Sequence, residues 1–183
     1  LSGCSNGSEP GFKYRIYVGT YTDGESEGIY VSDFDTVGPS LSELRLAAPL
    51  QQTTYQSISH DNSLLFSTSV LEGVGENNGA LKSFAIQEDG SLKELSSRAT
   101  ETSPILAYVD YHEAFRHLFT ISYHGGGVHA YPVDGKGNIG EEGGYAKHVG
   151  GSGIVESRQL DAHPHSIYVH PKGAYVYVPD LGQ

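Results

Sequence analysis

At 183 residues the chain is long enough for one domain with a sizeable core. Its 22 Asp and Glu outweigh 11 scattered Lys and Arg, a net charge of −11, which argues against a nucleic-acid partner. No apolar run approaches the roughly 20 residues of a membrane-spanning helix, and a single cysteine excludes an internal disulfide.

The chain opens Leu1-Ser2-Gly3-Cys4-Ser5 and stays polar to Gly11. Small residues before a lone cysteine resemble a bacterial lipobox, in which the thiol takes a lipid and becomes the mature N-terminus. A chance cysteine in a disordered leader is the alternative. Residues 1–12 are thus expected to be a lipobox remnant and flexible tether. The chain has no Met, so residue 1 is expected not to be the translated start. A lipid on Cys4 places the protein at the cell envelope, outside the cytoplasm, and makes that lipid its only membrane contact.

From residue 13 to 183 helical periodicity is nearly absent. Short bursts of Val, Ile, Tyr and Phe, bounded by Gly, Asp, Asn and Pro, predict strands. Examples are Tyr14-Arg15-Ile16-Tyr17-Val18, Leu64-Leu65-Phe66 and Ala174-Tyr175-Val176-Tyr177-Val178. The bursts recur in a fixed order. Gly28-Ile29-Tyr30-Val31 leads to Leu41, Gly79-Ala80-Leu81 to Leu92, and Gly127-Val128-His129 to Ile139. Leu65-Phe66, Leu118-Phe119 and Val176-Tyr177 interleave with them. A four-stranded unit recurring at about fifty residues predicts an all-β fold of propeller blades rather than a β-sandwich. The length then accommodates about three and a half blades, an arc expected to be part of a longer chain.

The last third gathers the chemistry. His163 and His165 lie two apart, which on an extended strand turns both imidazoles to one face. Arg158 and Gln159 stand just upstream, and Asp180 closes the hairpin that follows. The loop 150–153 is rich in glycine and carries Ser152, after His148; its N–H groups are candidates to face an anion. His-x-His alone does not make a metal site, which needs third and fourth ligands, so a metal is not expected. No Gly-x-Ser-x-Gly occurs to support a Ser-His-Asp triad.

Several segments together resemble the seven-bladed propeller lactonases of the 6-phosphogluconolactonase type, which also include carboxy-muconate cyclases. They are Tyr17-Val18-Gly19-Thr20-Tyr21-Thr22, Ser122 through Val128, His148 through Gly153, Arg158-Gln159, His163-Pro164-His165-Ser166 and Val178 through Gly182. The resemblance covers the family's N-terminal half. It departs after Pro104, where Ile105 and Leu106 stand in place of a small residue and His, and at Ser122, where Asn is usual.

The resemblance implies hydrolysis of a sugar-acid lactone, a small-molecule substrate, without cofactor. An unphosphorylated lactone suits a protein outside the cytoplasm; typical family members imply a cytoplasmic alternative. A muconate-type cyclase or isomerase, and a non-catalytic envelope propeller that binds a ligand or protein, are the other readings. Lactone hydrolysis needs a base for water and a cation or donor for the oxyanion. His165 is the first candidate base, with His163 in reserve; either is otherwise a wall or loop histidine. Arg158 is the candidate anion clamp, or the partner of Glu156 or Asp161 in an ion pair. Gln159, Tyr123, His124, His148, Ser152 and Asp180 are candidate substrate-binding residues. For Gln159 the alternative is a loop-fixing hydrogen bond, for Tyr123 core packing, and for Asp180 a bond to a histidine or a turn cap.

Overall fold

Among the described residues, β-branched and aromatic side chains spaced for alternate faces build fourteen strands. The computed structural model describes residues 13–71, 79–100 and 105–183. Cys4 and its tether, and Pro104, lie outside the described residues.

The first sheet holds β1 (Lys13–Gly19), β2 (Gly28–Asp35), β3 (Ser40–Leu41) and β4 (Arg45–Pro49), with β2 pairing β1 on one edge and β3 then β4 on the other. The second runs in chain order through β5 (Gln56–Ile58), β6 (Leu64–Val70), β7 (Gly79–Ile86) and β8 (Leu92–Ala99). The third repeats that order with β9 (Leu106–His112), β10 (His117–Ser122), β11 (Gly127–Pro132) and β12 (Gly144–Lys147). A hairpin of β13 (Tyr168–Val169) and β14 (Val176–Tyr177) begins a fourth unit. All pairings are antiparallel.

Burial separates a stack of blades from a two-layer sandwich. Leu65 and Phe66 are consecutive on β6, so they point to opposite faces, and both are fully buried. Leu65 joins Ile29, Val31, Ala47 and Phe84 in one core, between the first and second sheets. Phe66 joins Leu81, Leu106, Leu118 and Tyr131 in another, between the second and third. The middle sheet is therefore covered on both faces by its neighbours, as in radially repeated sheets. Burying a side chain of this size stabilises by about 1.5–3 kcal/mol.

Each blade also grips a turn of the next. Arg15 donates to the carbonyls of Gln87 and Glu88, Tyr17 to that of Gly90, and Arg45 to that of Asp89. One blade on, Ser96 Oγ accepts from the N–H of Ile139 at 2.9 Å, and Arg98 pairs with Glu141 at 2.8 Å. These turns are held by their own aspartates: Asp89 accepts from Ser91, and Asp134 from Lys136 and Asn138.

The first strands of successive units converge. β5 contacts β9. Tyr55, beside β5, stacks on Tyr108 of β9 at 3.9 Å, and Tyr108 meets Tyr168 of β13 at 5.9 Å. Burial, with the phenols of Tyr55 and Tyr168 alongside, pushes the Tyr108 hydroxyl well above the usual phenol range. His163 and His165 are not on the strand expected for them, because β13 begins only at Tyr168. Pro164 between them has no N–H to give a ladder, and the segment is pinned instead by a single bridge from Pro164 to Asp180.

Candidate active site at one end of the blades

The site is assembled from two places in the repeat: the turn after β10, and the long connection from β12 to β13. Ser122 ends β10, and its hydroxyl accepts from the N–H of Gly125 at 3.1 Å, tightening a turn that presents Tyr123 and His124. Gly126 closes the turn at φ +66, a left-handed conformation suited to glycine. A Cβ there would lie 2.8 Å from the carbonyl of His148, whose own N–H is bonded to Gly126 O. The turn is thereby fixed against the start of the long loop.

That loop is held from within. Gln159 accepts from the N–H of Val155 through Oε1 at 2.9 Å and donates through Nε2 to Leu181 O at 2.9 Å. Both polar atoms of its side chain are thus bonded within the protein. Ser152 and Gly153 also use their N–H groups inside the protein, on Gly182 O and Gln159 O, so these two do not form the anion cradle expected of the loop. The tight bend that returns the Arg158 and Gln159 N–H groups to Val155 O carries the exposed Arg158. Among the described residues Arg158 has no ion-pair partner, neither Glu156 nor Asp161.

Arg158 lines a cavity of about 360 Å³ together with Tyr123, His124, Ser157, His163 and His165. The Tyr123 ring organises it. His163 stacks on it at 4.5 Å and 15°, while His165 and His124 meet it edge-on at 5.6 and 4.9 Å. His163 is the better held of the two imidazoles. Its Nδ1 lies 3.1 Å from the Tyr123 carbonyl, which can only accept, so Nδ1 carries the proton and Nε2 is the lone-pair nitrogen of the neutral ring. His165 is anchored through its backbone, donating to Pro179 O at 3.0 Å, and its ring is exposed.

A second cavity, of about 420 Å³, adjoins the first through His124 and is lined by Lys147, His148, Asp161 and the glycines of both loops. Here His148 Nδ1 lies 2.6 Å from Asp180 Oδ2. The other oxygen of Asp180 accepts from the N–H groups of His163 and Gly182, each at 2.8 Å. Burial works against the charge of Asp180, but the hydrogen bonds from the His163 N–H, the His148 ring and the Gly182 N–H outweigh it and hold the carboxyl below its usual range. One carboxylate thus ties the two cavities together.

Ser157 is the lining residue that sequence reasoning missed, and no motif marks it. Leu106, at the position of the departure from the family pattern, is fully buried between the second and third sheets. His129 and Glu142 form another histidine–carboxylate pair, but the His129 side chain is wholly buried on β11. A larger cavity, of about 700 Å³, lies between the first two sheets, where Lys82, the one basic residue lining it among the described residues, is paired with Glu94 at 2.9 Å. Among the described residues no group of three His, Cys, Asp or Glu is placed to hold a metal ion.

Comparison with known proteins agrees with this architecture. The family model described as "Lactonase, 7-bladed beta-propeller" matches residues 15–183. The 6-phosphogluconolactonase of Bacillus subtilis (strain 168) is 36% identical over 172 residues, 93% of this chain and 47% of that protein. A probable 6-phosphogluconolactonase of Arthroderma benhamiae is 33% identical over 129 residues, 70% of this chain and 31% of that protein. The structure of a Pseudomonas aeruginosa periplasmic gluconolactonase superposes with a TM-score of 0.82 at 28% identity, over 93% of this chain and 48% of that one. The chain spans about half the length of these bacterial relatives. The sheets, the order of the motifs and the family match agree: the chain belongs to the seven-bladed β-propeller lactonases.

Proposed function

We propose that the protein opens a sugar-acid lactone by adding water to its acyl carbon, in the cavity lined by Arg158, His163 and His165. The observation that carries this reading is a guanidinium with no ion-pair partner among the described residues and two imidazoles on one cavity of about 360 Å³. A neutral imidazole takes a proton from water as the oxygen bonds to the carbonyl carbon. Arg158 holds the oxyanion that forms and then the product carboxylate. His165 is the base, with His163 in reserve. The names of the relatives support the substrate class. The kinship with a periplasmic gluconolactonase supports a site outside the cytoplasm; the lipid anchor on Cys4 rests on the Leu1-Ser2-Gly3-Cys4 sequence alone.

The test is acid release from a panel of sugar lactones by the purified protein at its natural full length. His165→Ala is expected to lower kcat by about 10²-fold or more, the usual worth of a general base. Arg158→Ala is expected to lower kcat/KM by a similar factor. A variant pair as active as the wild type makes these residues part of the wall. For the anchor, Cys4→Ser should move the protein from the membrane fraction to the soluble one; unchanged membrane retention refutes it.

A further inference from the structure

Hydrolysis of a lactone requires two proton transfers, and the cavity around Arg158 accounts for one. Water loses a proton when it attacks. The ring oxygen must gain one when the acyl C–O bond breaks, because a sugar alkoxide is a poor leaving group. The second cavity holds a group built for that step. His148 is half-buried, with its side chain 26% exposed, and lines the cavity that joins the first through His124. Its Nδ1 is committed to Asp180, whose own side chain is only 6% exposed. That carboxylate is held ionised by two backbone N–H groups besides the ring. A carboxylate so placed fixes the tautomer, leaves Nε2 as the ring's other polar atom, and stabilises the imidazolium.

We propose that His148, positioned by Asp180, is the general acid of this site. It delivers a proton from Nε2 to the ring oxygen as the tetrahedral intermediate collapses. The proposal rests on the lactone-opening reading above and adds the second half of its proton inventory. Water's oxygen ends on the acyl carbon, and its proton passes to His165. The electron pair of the breaking acyl C–O bond stays on the ring oxygen, which takes the His148 proton. The oxyanion electrons reform the carbonyl. His165 then loses its proton to solvent and His148 regains one, so atoms and charge balance. Lys147 and Asp161, the other charged residues on this cavity, and His124 are the groups around the dyad.

Leaving-group dependence tests the assignment. A phenolic leaving oxygen, as in dihydrocoumarin, departs as a stable anion and needs little help from an acid, whereas a sugar lactone needs it. His148→Asn retains an amide N–H at the Nδ1 position to meet Asp180 while removing Nε2. In the full-length protein this variant is expected to lose about 10²-fold or more in kcat on a sugar lactone and less than about tenfold on dihydrocoumarin. The rate on dihydrocoumarin reports that the variant is folded. Equal losses on both substrates, or no loss on either, overturn the general-acid role. A wild-type protein that opens neither lactone overturns the lactonase reading itself, and the two failures are thereby distinct.

Discussion

At the residue scale, the charge state of a few carboxylates explains both turn geometry and site geometry. Asp61 is held down to about 2 because the hydroxyls of Ser59 and Ser63 and the Ser63 N–H bond its charged form. Hydrogen bonds in the same manner lower Asp89 through Ser91 and Asp134 through Asn138. A depressed carboxyl contributes stability that is fully present above its unfolded value and is lost as pH falls through its folded value. For Asp61 that window runs from about 4 down to about 2. Thermal unfolding followed against pH should therefore show Tm falling across this window. Asp61→Asn should flatten part of the fall and lower Tm at pH 7; an unaltered acid profile would contradict it. What the sequence disclosed at this scale was uneven. His163, His165 and Arg158 are legible as chemistry-bearing types near one another. That Gln159 turns inward and that Asp180 selects the His148 ring are long-range choices, made across 22 and 32 residues of chain, which no local pattern encodes.

At the element scale, the repeat was the readable part, because a blade writes its strands at a fixed period with both faces apolar. Leu65-Phe66 illustrates it: two adjacent apolar residues in a strand look like noise in a one-faced sheet, yet they fill two different cores here. The short strands before the hairpins were less legible. His163 to Val169 reads as one strand, but Pro164 and the pull of Asp180 hold its first half as a pinned loop. The packing predicts two substitutions. Leu118→Ala, in the core between the second and third sheets, should cost about 2–5 kcal/mol by denaturant titration. Gly137 sits at φ +86 with a Cβ position 2.8 Å from Leu64 and 2.9 Å from Leu95. Gly137→Ala should thus cost about 1–3 kcal/mol, through backbone strain and crowding at the turn that the second sheet grips. A loss below about 0.5 kcal/mol in either would mean these contacts do not hold the blades together.

At the scale of the whole molecule, three blades and the start of a fourth stack face to face, and exposure rises toward both ends of the arc. On β1 the residues Tyr14, Ile16 and Val18 are 55%, 39% and 40% exposed, and at the other end Tyr175 and Tyr177 are 67% and 54% exposed. The overall architecture was legible because period, turn chemistry and strand composition all point the same way. The candidate cleft was not, since it forms where a turn of one blade meets the connection to the next. Hydrogen exchange on residues 13–183 should show β6, β7 and β10 protected longest, and β1 and β14 exchanging first. The most direct measurement is a crystal structure of the full-length protein with a ring-opened sugar acid bound. The product carboxylate is expected on Arg158, beside His163 and His165, with its newly freed hydroxyl directed to His148. A sugar acid seated instead in the cavity between the first two sheets, with Arg158 untouched, would contradict the assignment of this cleft as the place where the lactone is opened.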